Sequence, residues 1–147
     1  MTLDQIQEEI VQEFAVLNGD FELVMSHIVS LGRILPEMPA KYRSEINLIK
    51  GCHSKVWLAA VADIHQIHFH ADSDTLISKG LISLLLRVFD GRDRDDILNS
   101  ELYFFRHNRL ERFIGTKRSN GFRSMIDHMK WAAETARTYD RVISIKG

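Results

Sequence analysis

One cysteine, Cys52, occurs among the 147 residues of the chain. A single thiol excludes an intrachain disulfide, a CxxC redox pair and a cysteine-only zinc site. Proline is nearly as scarce: Pro36 and Pro39 lie close together, so only one stretch is broken by proline. Long apolar runs are missing as well. The most apolar stretch, Gly80 to Phe89, is too short to span a bilayer and carries Arg87. Neither charge is in surplus, since 19 Lys and Arg face 20 Asp and Glu for a formal charge of -1. That balance argues against a dedicated binder of nucleic acid or anionic membrane, whose affinity rests on a positive field. The opening residues, Met1 to Ile6, contain no basic stretch followed by an apolar run. No secretory signal is expected, and a lone reduced thiol suits a cytoplasmic protein.

What is present is ordinary globular usage, 45% hydrophobic and 27% charged. A chain of this length buries roughly 70% of its unfolded surface, enough for one domain over 1–147 without disulfide or metal. Leu3, Ile6, Ile10, Phe14 and Leu17 recur at helical steps after a Thr2–Gln5 capping box, and Asn18-Gly19 supplies the stop. Asp20 caps a second helix whose apolar face reads Phe21, Val24, Met25, Ile28, Leu31 and Leu35. Ile46 to Ile49 is a short strand candidate. Lys55–Ala62 and Ile67–Ala71 form an antiparallel hairpin through a tight turn near Asp63 to Gln66. Ser73 or Asp74 then caps a central helix running to Phe89. Shorter helical pieces follow at Asp93–Asn99 and Leu110–Ile114, and a long helix starts near Ser119. The fold class is α+β: a helix pair, a small antiparallel sheet of about three strands, and C-terminal helices packed on one side.

Cys52 lies in Lys50-Gly-Cys-His-Ser-Lys-Val-Trp57, at a glycine break between extended segments. Gly51 permits backbone torsions that other residues resist. Lys50, His53 and Lys55 place positive charge nearby, which favours thiolate over thiol. A lone cysteine is more often a small buried hydrophobe, but such a residue needs neither the glycine nor the cations. A cysteine hydrolase needs a histidine base, and His53, as the next residue on an extended segment, points to the opposite face. A thiol that accepts a group from one partner and passes it to another needs only a nucleophile and a docking surface.

Three segments sharpen this reading. Gly51-Cys-His-Ser-Lys-Val-Trp57, Asp72-Ser-Asp-Thr-Leu-Ile-Ser-Lys-Gly-Leu81 and Arg118-Ser-Asn-Gly121 resemble, in order and at similar separations, the SufE family of sulfur acceptors. The resemblance covers nearly the whole chain. It implies an α+β fold related to the iron–sulfur scaffold IscU, with no cofactor of its own. It implies a sulfur carrier rather than an enzyme, which takes persulfide sulfur from a pyridoxal-phosphate (PLP) dependent cysteine desulfurase of SufS or CsdA type. The sulfur passes towards a downstream iron–sulfur scaffold or other acceptor, and the desulfurase is stimulated. Cys52 is then the persulfide carrier, and family members can dimerise.

Supporting roles fall to Gly51, Ser54, Trp57, Asp74, Lys79, Gly80 and Arg118. Ser54 can hydrogen-bond the loop, Asp72 and Asp74 can cap the central helix, and Lys79-Gly80 can bring that helix against the cysteine loop. Val56 and Trp57 can wall off the carried sulfur. Arg118 offers a cation to a thiolate or to an acidic partner. The competing readings are a cysteine-dependent enzyme with a histidine base and a metal module built on His65, His68 and His70. A solvated sheet face accounts for those histidines more simply.

Overall fold

In the computed structural model the described residues are 1–50, 52 and 54–135, together with the backbone of 143–144. Helix α1 spans Leu3–Ala15 and α2 spans Phe21–Arg33. The Thr2 hydroxyl accepts from the Gln5 N–H while the Gln5 side chain accepts from the Thr2 N–H, so two otherwise orphaned donors are satisfied. Asn18 and Gly19 both adopt positive φ, 53° and 68°, which turns the chain between the helices. Asp20 caps α2 through the Leu23 N–H. Phe21 departs from the expected buried face: it is 58% exposed and stacks on Phe113 instead.

Strands β1 (Val56–Ala62) and β2 (Ile67–Ser73) form the hairpin, paired antiparallel from Val56 opposite Ser73 to Ala62 opposite Ile67. One Asp63 carboxylate oxygen accepts from the N–H groups of His65 and Gln66, which fixes the turn. The third strand is not the one expected. Ile46 falls in a 3-10 turn, Glu45–Asn47, held by the Asn47 amide on the Tyr42 carbonyl, and Leu48 makes only an isolated bridge to Trp57. The other edge of β1 is taken by β3 (Ile143–Ser144), giving the order β2-β1-β3. A four-residue segment such as Ile46 to Ile49, with Asn47 polar among three apolar residues, is too short for its period to distinguish strand from turn.

Helix α3 (Leu76–Phe89) is the central helix, with Leu81, Ile82, Leu84, Leu85, Val88 and Phe89 buried. It begins later than Ser73 or Asp74, because Ser73 ends β2 and Asp74 lies in the connection: Thr75 precedes the helix without a side-chain cap bond. Gly32 of α2 and Gly80 of α3 form a close helix crossing. A Cβ on Gly80 would run into the Ile28 carbonyl, and one on Gly32 would run into the Leu76 carbonyl. Helices α4 (Arg94–Leu98) and α5 (Phe104–His107) are short, and α5 was not apparent from periodicity. The buried Gln7 side chain accepts from the Tyr103 and Phe104 N–H groups and donates to the Glu101 carbonyl, pinning α1 to the start of α5. Helix α6 runs Glu111–Thr135 with one non-helical residue, Gly115, at φ 84° and ψ 170°. The gap expected between Ile114 and Ser119 is thus a one-residue break. One apolar cluster joins α1, α2, the sheet and α3–α6.

Candidate functional site

Cys52 enters the structure just before β1 and against two helices. Its side chain lines a cleft with Ser54 and Val56 from the sheet side, Ser78 and Leu81 from α3, and Arg118, Gly121 and Met125 from α6. The cleft has about 10 Å³ of free space, close to the roughly 10–15 Å³ needed to seat one water. Such a space admits about one extra atom. The Cys52 thiol donates weakly to the Gly121 carbonyl at 3.7 Å, and a Cβ on Gly121 would lie 3.5 Å from Sγ. That is ordinary van der Waals contact, so α6 packs directly against the cysteine at Gly121.

Burial pushes the Cys52 thiol above its ordinary pKa, and among the described residues no charge or hydrogen bond offsets it. The sequence suggested the opposite direction, through Lys50, His53 and Lys55. Neither Lys50 nor Lys55 contributes to the shift, and Gly51 and His53 lie outside the described residues. Arg118 does share the cleft with Cys52, and its guanidinium donates to the Ile114 carbonyl at 3.3 Å.

A chain of hydroxyls ties the cysteine segment to α3. Ser54 Oγ lies 3.0 Å from Thr75 Oγ1, and Ser78 Oγ donates to Ser54 Oγ at 3.2 Å. Asp74 serves the same segment rather than a helix end: its Oδ1 accepts from the Lys55 N–H at 3.0 Å. Asp72 also caps no helix. It pairs with Arg43 at 3.0 Å and Lys79 at 3.8 Å. Gly80 packs against α2, not against the cysteine segment. Trp57 lies away from the cleft under the Arg43 guanidinium, 4.1 Å from the ring centroid, whereas Val56 does line it. Ser54 and Arg118 are therefore beside Cys52, Asp74 holds its flank, and Trp57, Lys79 and Gly80 sit elsewhere. Thr75, Ser78, Leu81 and Met125 complete the site. They were missed because they are common helix residues whose role depends on how α3 and α6 converge.

The histidines do not converge. His70 stacks on Tyr42 at 4.9 Å, and His68 lies between Asp63 and Asp90 at 3.8 and 3.7 Å. Among the described residues no three His, Cys, Asp or Glu side chains form a metal-sized group, and no helix is long and apolar enough to cross a membrane.

Comparison with known proteins first gives the class. A hypothetical protein from Thermus thermophilus, solved in solution, superposes with a TM-score of 0.70 over 92% of this chain and 98% of its own, at 17% identity. That likeness establishes the α+β fold alone. The family model for SufE, described as an Fe-S metabolism associated domain, matches residues 8–133. An uncharacterized SufE-like protein of Rhizobium meliloti is 34% identical over 86% of this chain and 94% of its own length. A second, from Rhizobium etli, is 29% identical over 86% and 88%. The chain belongs to the SufE family, and so to the proteins associated with Fe–S metabolism.

Proposed function

We propose that the protein accepts persulfide sulfur on Cys52 from a PLP-dependent cysteine desulfurase and passes it on for iron–sulfur cluster assembly. The observation that carries the reading is the placement of the chain's only thiol in a cleft with room for about one further atom. In the transfer, the Cys52 thiolate attacks the outer sulfur of the donor persulfide. A new S–S bond forms on Cys52, the donor's S–S bond breaks, and the donor cysteine leaves as thiolate. The attacking group must be deprotonated, yet burial favours the neutral thiol. Docking therefore has to uncover Cys52 and favour its thiolate over the neutral thiol. Once loaded, the sulfur is sheltered by Val56, Leu81 and Met125. Without a second cysteine in the chain, no neighbouring thiol can strip it.

The reading is tested by the turnover of a SufS- or CsdA-type desulfurase, followed as alanine released from cysteine. The wild-type protein is expected to raise the rate, because it removes the persulfide product, and Cys52→Ser is expected to leave it at the basal level. A serine variant that stimulates as well as wild type would defeat the proposal.

A further inference from the structure

The back of α6 carries a second cleft that the sulfur chemistry does not use. Thr116 and Arg123 face it, whereas Arg118, Gly121 and Met125 face the cysteine cleft on the opposite side of the helix. This second cleft has a volume of about 580 Å³ and is lined by Phe105, Arg106, Arg109, Glu111, Arg112, Gly115, Thr116 and Arg123. Four guanidiniums thus meet one carboxylate. The carboxylate is already neutralised, since Glu111 pairs with Arg123 at 3.1 Å, and Arg123 also reaches Asn120 at 3.2 Å. Among the described residues, the side chains of Arg106, Arg109 and Arg112 have no ion pair or hydrogen-bond partner. These three arginines are exposed, so water screens their mutual repulsion, and an anion seated among them would supply the charge-assisted hydrogen bonds that their side chains lack. In a chain of formal charge -1 such concentration is a local feature, not a general basic surface.

The backbone is bent to produce the convergence. Arg106 comes from α5, Arg109 from the following turn, Arg112 from the first turn of α6 and Arg123 from beyond the Gly115 break. Arg109 holds φ at 53°, a left-handed conformation that costs a side-chain-bearing residue energy and that glycine would adopt freely. The floor is apolar, formed by the buried ring of Phe105.

We infer that this cleft binds a small, multiply charged phosphate compound. The volume falls in the range of roughly 300–1,000 Å³ that small-molecule sites occupy. Guanidinium forks match phosphate oxygens two at a time. The four arginines converge from separate turns instead of forming a row, which suits a compact ligand better than an extended acidic peptide. Cys52 is absent from the lining, so the site is separable from sulfur acceptance.

Calorimetry with sodium pyrophosphate, at about 0.15 M salt where diffuse attraction is screened, tests the inference. Saturable one-to-one binding is expected, weakened at least roughly tenfold by the Arg106→Gln/Arg112→Gln double substitution. Arg109→Gly is expected to weaken binding while the thermal midpoint holds or rises, because glycine relieves the positive φ. Neither variant is expected to change sulfur loading of Cys52. The inference is overturned if pyrophosphate shows no saturable binding, if the variants bind it as wild type does, or if hexaglutamate binds more tightly than pyrophosphate.

Discussion

On the proposed function the Cys52 sulfur has two opposed requirements, reactivity towards a donor and protection of the cargo, and its burial favours the second. Its thiol is half-buried, donates to the Gly121 carbonyl and is shifted upward by burial. The rate of iodoacetamide alkylation plotted against pH is therefore expected to rise with a midpoint above that of free cysteine. A midpoint at or below free cysteine would show that cations control the thiol after all. The hydroxyl chain through Ser54, Thr75 and Ser78 holds the cysteine segment to α3. Removing its middle hydroxyl, Ser54→Ala, is expected to speed alkylation at neutral pH severalfold with a loss of stability of about 1 kcal/mol. An unchanged rate would show that the segment is held by other contacts. Cys52 itself was legible in the sequence from Gly51 and the motif around it. Its ionisation was not, because Lys50 and Lys55 are visible as neighbours in sequence while the burial comes from α3 and α6, remote in sequence.

Among the elements, those fixed by short-range chemistry were read correctly. The Thr2–Gln5 box, the Asn18-Gly19 turn and the Asp20 cap each involve residues within three positions of one another. The errors have two sources, a side chain that serves a distant partner and a segment too short for its pattern to be read. Asp74 was read as a helix cap but holds the Lys55 N–H, and Ile46 was read as strand but lies in a 3-10 turn. Gly80 also changed meaning, from a neighbour of the cysteine segment to half of the α2–α3 crossing. Gly80→Ala is expected to cost about 2–3 kcal/mol, since a Cβ there would also stand 2.7 Å from Ile28 Cγ2. The denaturant midpoint measures it, and a loss below about 1 kcal/mol would mean that the helices separate easily. The first three helices are joined by a polar link as well: Arg87 reaches both Glu13 carboxylate oxygens at 3.1 Å, and His27 reaches one at 2.6 Å. Burial alone would raise the Glu13 pKa, but the Arg87 and His27 hydrogen bonds outweigh it and the net shift is downward. The ionised carboxylate thus stabilises the fold above the ordinary glutamate pKa, and this contribution is lost as pH falls through the lowered value. Glu13→Gln is expected to cost about 1–2 kcal/mol at neutral pH, with the gap to wild type closing in acid. A gap independent of pH would contradict the assignment.

At the scale of the whole molecule, α6 separates two clefts. Its Gly121 face backs the thiol, and its Thr116–Arg123 face belongs to the arginine cleft. The sequence carried the first through three motif segments, each short enough to be read along the chain. The second depends on the Gly115 break and the positive φ of Arg109, which bring Arg106, Arg109, Arg112 and Arg123 together from separate turns. Near-neutral net charge likewise hid a cationic concavity, because a total does not report how charge is distributed. The central claim concerns Cys52 and is met most directly by mass spectrometry. The protein is incubated with a cysteine desulfurase and free cysteine, trapped by alkylation, digested and mapped. A gain of one sulfur on the Cys52 peptide, absent from Cys52→Ser, is predicted; a protein that gains no sulfur under conditions where the desulfurase turns over would contradict the account.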